Sequence, residues 1–328
     1  MDAELGNSRL VSTVGLSVFV LGIASGPSVT SPMSEWYGRR PVYLVSWTLF
    51  IIWMIPTAVA TNIQTIIISR FFTGCAGGTF LAVAGGTARD LFPSHELQNP
   101  MALVASAPFI GPSTGPLLGG FINSYADWRW THYVMIIWAV CLLVLIVIFA
   151  PETHHQIRRS AIAKKQETRG RSGVSMNRNG QSKGQMLIIS LLRPFQLLSL
   201  EPMCLCLSLY SAILLGILYL FFSAFPLMFE TNHSMNAWQG GLTFLGIIIG
   251  MLVAAATTPI WSRVRQRLIN SSKGLEDNPP EYRLPPAILG GFFTPVGLFW
   301  FAWTIYPSIH WIVPIVGSAI FGFGLVDA

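Results

Sequence analysis

Nine long apolar segments limit the fold of this chain more than any other feature. Each holds about 20 residues, the length that an α-helix needs to cross the hydrocarbon core of a bilayer. Because lipid offers no hydrogen-bond partners, each segment must satisfy its own backbone, and a helix does so. The segments cover residues 10–33, 42–60, 64–87, 101–122, 131–150, 203–229, 238–261, 285–305 and 309–326. We therefore predict an all-α, multi-pass helix bundle embedded in the lipid bilayer.

The composition also favours a membrane protein. Hydrophobic residues make up 52% of the chain and charged residues 10%, whereas about a quarter of a typical soluble domain is charged. The net charge of +6 does not predict nucleic-acid binding, because the basic residues are concentrated in loops between apolar segments. The four cysteines all lie inside the segments without metal-ligand spacing. We therefore expect no metal site and no cofactor.

The distribution of positive charge predicts how the chain crosses the membrane. With the nine segments threaded as helices, seventeen of the twenty Lys and Arg residues fall on one side. Positively charged loops stay in the cytosol during insertion, so the N-terminus is predicted to face outward and the C-terminus inward. We expect the plasma membrane, with a vacuolar or other internal membrane as the alternative.

A polar, basic stretch divides the chain. Residues 151–201 contain nine Lys and Arg residues and, up to about residue 196, little that builds a core, which predicts a flexible cytosolic linker. The linker separates a bundle of five segments in residues 1–150 from one of four segments in residues 202–328.

The turn after the first segment carries a carboxylate and two guanidinium groups. Glu35, Gly38, Arg39 and Arg40 lie in the run SPMSEWYGRRP. Opposite charges at a helix junction pair with each other and with helix ends, so we predict that this cluster is a latch. The run resembles the signature of the major facilitator superfamily, although Ser31 replaces its leading glycine. The resemblance implies a twelve-span fold, of which this chain has about nine spans.

Arg70 lies inside the third segment, where an arginine costs about 2.5–3.5 kcal/mol on insertion scales. It is predicted to face the bundle interior or a cavity, and snorkelling to the interface is the alternative. Arg70 and Gly74 resemble a fourth-span pattern of the family, which implies that Arg70 takes part in proton coupling. Asp90, at the end of the same segment, is a second candidate for proton coupling.

Glycine and proline are concentrated at the outer end of the fourth segment, where they allow kinks and close helix packing. The run GPSTGPLLGG resembles the antiporter signature of the family's fifth span and implies export by proton exchange. A role in packing alone is the alternative. The matching residues are Gly111, Gly115, Pro116, Gly119 and Gly120.

Three further stretches resemble the fungal twelve-span drug:proton antiporters: PET at 151–153, YLFFSAFP at 219–226 and EYRLPP at 281–286. Against that pattern, a division into five and four spans implies that one span is lost before Leu10 and two after Ala328. We therefore expect a chain truncated at both ends, which transports poorly unless it is complemented.

Substrate contacts are predicted from chemistry, because cavities for drug-like compounds are mostly apolar and aromatic. The candidates are Tyr210, Tyr219 and Phe225 in the sixth segment. Asn232 begins a sequon on the predicted external side and is a candidate for glycosylation.

These features predict an exporter of small amphipathic or cationic compounds, such as a drug, toxin, polyamine or secondary metabolite, in exchange for protons by alternating access. A sugar or nutrient uptake transporter is the first alternative, and a truncated, non-transporting remnant is the second. The segments lack the clusters of His or carboxylates that a membrane enzyme needs at membrane depth, so we predict no enzymatic activity.

Overall fold

Helices cover nearly all of the chain that the structure describes. This structure is a computed structural model, and it describes residues 6–93, 97–153, 183–271, 282 and 284–327. Within these ranges the regular elements are all helical. The helices are α1 (Arg9–Tyr37), α2 (Arg39–Ala58), α3 (Ile63–Leu91), α4 (Gln98–Tyr125), α5 (Trp128–Phe149), α6 (Lys183–Leu200), α7 (Pro202–His233), α8 (Ala237–Leu242), α9 (Leu245–Ser271), α10 (Leu284–Thr304) and α11 (Ile312–Asp327).

All nine predicted segments are helical, and among the described residues eight of them are long and apolar enough to cross a membrane. The predicted ninth corresponds to α11, which has 16 residues. At about 1.5 Å per residue it is roughly 24 Å long, which is shorter than the ~30 Å hydrocarbon core. The seventh segment is interrupted: α8 ends at Leu242, and the bond from the Phe244 amide to the Gly241 carbonyl closes a turn before α9 begins.

Helix α6 lies in the stretch that the sequence predicted to be a flexible linker. Leucine is a strong helix former, and leucines recur throughout its second half, LLRPFQLLSL, where the side chains are exposed. The prediction was therefore wrong for residues 183–200. Residues 154–182 of the predicted linker lie outside the described residues.

The described helices fall into two compact units. The first unit contains residues 1–93 and 128–206, with helices α1, α2, α3, α5 and α6. Helices α1 and α3 pack backbone to backbone, because Gly22 and Gly26 face Cys75 across the interface. Helix α2 packs against α5 through Trp47, whose indole nitrogen donates to the Ala139 carbonyl at 2.7 Å.

The second unit contains residues 94–127 and 207–328, so α4 joins α8 and α9 here rather than following chain order. The predicted division at residues 150 and 201 stays a prediction. Aromatic side chains fill the core of the second unit, and the Phe225 ring stacks on Phe301 at 5.0 Å between centroids. The other buried rings of this core are Phe221, Phe229, Phe244 and Phe321.

Candidate functional site

Arg39, the first residue of α2, connects three elements of the first unit. Its Nε donates to the Asp90 carboxylate of α3 at 3.1 Å, and its Nη1 donates to the Ser34 hydroxyl of α1 at 2.6 Å. The side chains of Arg39 and Asp90 are 11% and 22% exposed, so the ion pair is largely shielded from water. A shielded pair keeps more of its Coulomb attraction than a surface pair, and losing one partner leaves the other charge uncompensated.

Glu152, which follows α5, caps the start of α2. Its two carboxylate oxygens accept from the Arg39 and Arg40 amides at 3.0 Å and 3.2 Å. These amides belong to the first turn of the helix and have no partner within it. The negative charge also complements the positive end of the helix dipole. Glu152 therefore holds the end of α5 against the turn that contains the predicted latch.

We call Ser34, Arg39, Asp90 and Glu152 the Arg39 cluster. Two glycines, Gly38 and Gly86, make room for it. Gly38 has φ 102° and ψ 163°, a conformation that is essentially restricted to glycine. A Cβ at Gly38 would also overlap the Glu152 carboxylate. A Cβ at Gly86 would lie 2.6 Å from Arg39 Nη2, so a side chain there would displace the guanidinium.

Two other predicted latch residues, Arg40 and Glu35, do not contact the Arg39–Asp90 pair in the contacts described above. Arg40 Nη2 donates to the Val147 carbonyl near the end of α5 at 3.0 Å, which adds a second link between α2 and α5. Glu35 lies on an exposed face of α1. The carboxylates that meet Arg39 are Asp90 and Glu152. The sequence indicated PET at 151–153 only as part of a family resemblance, and it gave no role to Ser34.

Arg70 is partly buried and faces α1 in the first unit. Its guanidinium carbon lies 5.9 Å from the centroid of the Phe19 ring, within the range of a cation–π contact. Gly74, one turn later, packs against the backbone of Phe19 and Gly22. The predicted role of Arg70 in proton coupling stays a prediction.

The Gly/Pro-rich part of α4 packs against α8 in the second unit. A Cβ at Gly241 would lie 2.8 Å from the Pro116 carbonyl oxygen and 3.3 Å from Gly120 Cα. These two motif residues therefore allow a close backbone approach between α4 and α8. Open space lies beside the other three glycines, Gly111, Gly115 and Gly119.

The predicted substrate contacts occupy three different environments in the second unit. Phe225 is completely buried in the aromatic core. Tyr219 packs edge-on against Phe222 at 5.3 Å between centroids. Tyr210 lines a cavity of about 720 Å³ together with residues of α4, α9, α10 and α11.

Asn232 lies in the last turn of α7 rather than in a loop. Its Nδ2 donates to the Ile305 carbonyl at 2.7 Å. A glycan would be attached to that same nitrogen and would leave it one hydrogen for this contact. The predicted glycosylation stays a prediction.

The profile of the Major Facilitator Superfamily, MFS_1, matches residues 1–327. The chain is 50% identical over 307 residues to the efflux pump atB of Aspergillus terreus, covering 92% of this chain and 64% of that protein. It is 36% identical over 323 residues to the probable drug/proton antiporter YHK8 of Saccharomyces cerevisiae, covering 97% of this chain and 62% of that protein. The chain thus spans less than two thirds of the length of these relatives.

Solved structures support the fold. The xylose transporter XylE of E. coli matches with a TM-score of 0.62 at 14% identity, covering 98% of this chain and 76% of that one. The human organic anion transporter MFSD10 matches with a TM-score of 0.58 at 18% identity, covering 96% of this chain and 67% of that one. At these identities the likeness concerns the fold alone.

Proposed function

The chain belongs to the major facilitator superfamily, and on that premise we propose that it exports small amphipathic or cationic compounds across the plasma membrane in exchange for protons. The similarity to a fungal efflux pump and to a probable drug/proton antiporter supports export. The resemblance of the Gly/Pro-rich run of α4 to the antiporter signature supports exchange over uptake.

The observation that carries the proposal is the shielded Arg39–Asp90 pair. Alternating access requires contacts that hold one state and are released in the other. The Arg39 cluster meets this requirement. The Arg39 guanidinium joins α2 to α1 and α3, and the start of α2 binds the segment after α5 through Glu152. The cluster acts as the latch in this proposal.

Asp90 is the group through which a proton would reach the latch. When its carboxylate takes up a proton, it loses the charge that pairs with Arg39 Nε. Arg39 then keeps the Ser34 hydroxyl as a neutral partner, and hydrogen bonds between neutral and charged groups hold it less firmly than an ion pair. Proton uptake would therefore favour the released state.

The experiment measures export in inside-out vesicles from a yeast strain that lacks its own drug exporters and that expresses this chain complemented to the length of its relatives. An imposed pH gradient, acidic inside, should drive accumulation of the cationic dye rhodamine 6G, and a protonophore should abolish it. Arg39→Ala and Asp90→Asn should slow accumulation by about tenfold or more, equivalent to ~1.4 kcal/mol in the rate-limiting barrier. Arg193→Ala, an exposed cation of α6, is the matched control and should transport normally.

Two results would contradict the proposal. Dye or sugar entry into intact cells, independent of the pH gradient, would indicate an uptake transporter. Correctly inserted protein without any gradient-dependent transport would indicate a non-transporting relative.

A further inference from the structure

Helix α6 carries an apolar stripe that the described part of the chain leaves uncovered. Leu191, Phe195 and Leu198 recur at positions i, i+4 and i+7, which lie on one face of a helix with 3.6 residues per turn. All three side chains are exposed, and Phe195 is 70% exposed. Helix α6 approaches α1 within the first unit, yet every residue from 191 to 200 stays exposed. The stripe therefore favours an apolar partner that the described residues do not supply.

The side of α6 opposite the stripe is polar. Arg193 follows Leu191 by two residues, about 200° around the helix, and Gln196 lies about 140° from Leu191. Among the described helices, α6 is not one of the eight that are long and apolar enough to cross a membrane. A helix with one apolar and one polar face, and without the hydrophobicity of a span, is suited to lie in the membrane interface.

The end of α6 is fixed to a helix that is able to cross the membrane. Glu201 alone separates α6 from α7: its amide donates to the Leu197 carbonyl at 3.0 Å, and its carbonyl accepts from the Leu205 amide at 3.1 Å. Helix α7 has 32 residues and is one of the eight candidate spans. At ~1.5 Å per residue it is roughly 48 Å long, which exceeds the ~30 Å hydrocarbon core, so its ends reach the headgroups. Leu198, one turn before Glu201, therefore lies close to the bilayer surface.

The charge of this part of the sequence indicates which lipids would bind. From residue 158 to residue 201 the chain has nine Lys and Arg residues and two acidic residues, Glu167 and Glu201. Anionic headgroups attract a basic stretch that lies within about a Debye length of the surface, and a zwitterionic surface does not. The apolar stripe and the positive charge together match a bilayer that contains anionic lipid.

We propose that α6 docks on an anionic lipid surface, at the leaflet where α7 begins. Leu191, Phe195 and Leu198 enter the boundary between headgroups and acyl chains. Arg193 faces the solution. This docking anchors α6 to the membrane, and it depends neither on the transported compound nor on proton exchange.

Fluorescence quenching by lipid tests the docking with the full chain in lipid nanodiscs. The four native cysteines are replaced by alanine, and a single cysteine, Phe195→Cys or Arg193→Cys, carries the fluorophore nitrobenzoxadiazole. The discs contain phosphatidylcholine alone or an equal mixture with phosphatidylserine, and a nitroxide on the lipid acyl chains quenches a fluorophore that lies among them. With phosphatidylserine we expect about threefold stronger quenching at Phe195→Cys than at Arg193→Cys, because the apolar face of a docked helix lies ~5–10 Å deep.

A pair of leucine variants shows whether the stripe itself makes the contact. In the Phe195→Cys background, Leu198→Gln should lower the ratio of docked to undocked helix by about tenfold, because it removes an apolar side chain from the buried face. Leu197→Gln is the matched control: it makes the same exchange at an exposed leucine about 120° from Leu191 and should leave the quenching unchanged. Added salt should weaken the quenching in discs with phosphatidylserine.

Three results would overturn the inference. Equal quenching at Phe195→Cys and Arg193→Cys would show that the stripe does not enter the lipid. Equal quenching at Phe195→Cys with and without phosphatidylserine would show that anionic lipid is not the partner. A blue-shifted fluorophore at Phe195→Cys that the lipid nitroxide does not quench would show that protein, such as a second copy of the chain, covers the stripe.

Discussion

Glu152 shows how one side chain can fix a junction between distant parts of the chain. It accepts from two successive amides, those of Arg39 and Arg40, at the point where α2 begins. It also lies against Gly38, where any side chain would displace it. The contact that positions Arg39 toward Asp90 is therefore made by a residue more than a hundred positions away, at a sequence separation of 113.

The residue-scale prediction compares Glu152→Gln with Glu35→Gln. Glutamine keeps the size of Glu152 but loses the charge at the helix start and one of the two acceptor oxygens. We expect the free energy of unfolding to fall by about 0.5–2 kcal/mol, the range found for lost caps. Glu35 lies exposed on the same turn, so Glu35→Gln should change stability by less than about 0.5 kcal/mol.

The measurement is thermal unfolding in detergent, followed for both variants under the same conditions. Equal melting temperatures for the two variants would show that Glu152 does not stabilise the junction. A larger loss of stability for Glu35→Gln would instead show that Glu35 is the carboxylate of the latch, as the sequence predicted.

At the scale of helices, close backbone contacts hold the second unit together. Gly250 of α9 faces the backbone of Ala319 in α11 so closely that a Cβ would overlap its carbonyl oxygen. Gly322 of α11 packs in the same way against Ile247. In a membrane the hydrophobic effect does not drive helices together. Van der Waals packing contributes to the attraction instead, and small residues allow the close approach that it needs.

The element-scale prediction is that Gly250→Val separates α9 from α11. Overpacking a tight interface typically costs about 1–3 kcal/mol, and here the obstacle is backbone, which yields less readily than a side chain. Gly216→Val is the matched control, because Gly216 lies exposed on α7 with open space around it. Size-exclusion chromatography in detergent should show aggregation or loss of the Gly250→Val protein and a normal peak for Gly216→Val. Two normal peaks would mean that this contact is not needed.

The sequence predicted helices better than it predicted their ends and contacts. The long apolar segments predicted the helices because each segment satisfies its own hydrogen bonds, which is a local property. Helix α6 was missed because basic and polar residues precede it, and these favour a linker on composition. The pair of Arg39 with Asp90 joins residues 51 positions apart. Nothing local in the sequence indicates that Asp90 and Glu152, rather than Glu35, meet Arg39.

At the scale of the whole molecule, the charge asymmetry predicts the direction of every crossing. With seventeen basic residues on one side, the α1–α2 turn, and with it the Arg39 cluster, is predicted to face the cytosol. The turn between α2 and α3 is then predicted to face outward, since α2 is long enough to cross the membrane. This orientation would put the proposed latch on the side from which an exporter collects its substrate.

The prediction for the whole molecule is tested with single cysteines. The four native cysteines, Cys75, Cys141, Cys204 and Cys206, are first replaced by alanine. Asn62→Cys and Glu35→Cys then place one exposed thiol on each predicted side of α2. A membrane-impermeant maleimide should label Asn62→Cys in intact cells, and it should label Glu35→Cys only after permeabilisation. The reverse pattern would invert the orientation of all the helices and place the Arg39 cluster outside the cell, where it would face the medium instead of the cytosolic substrate.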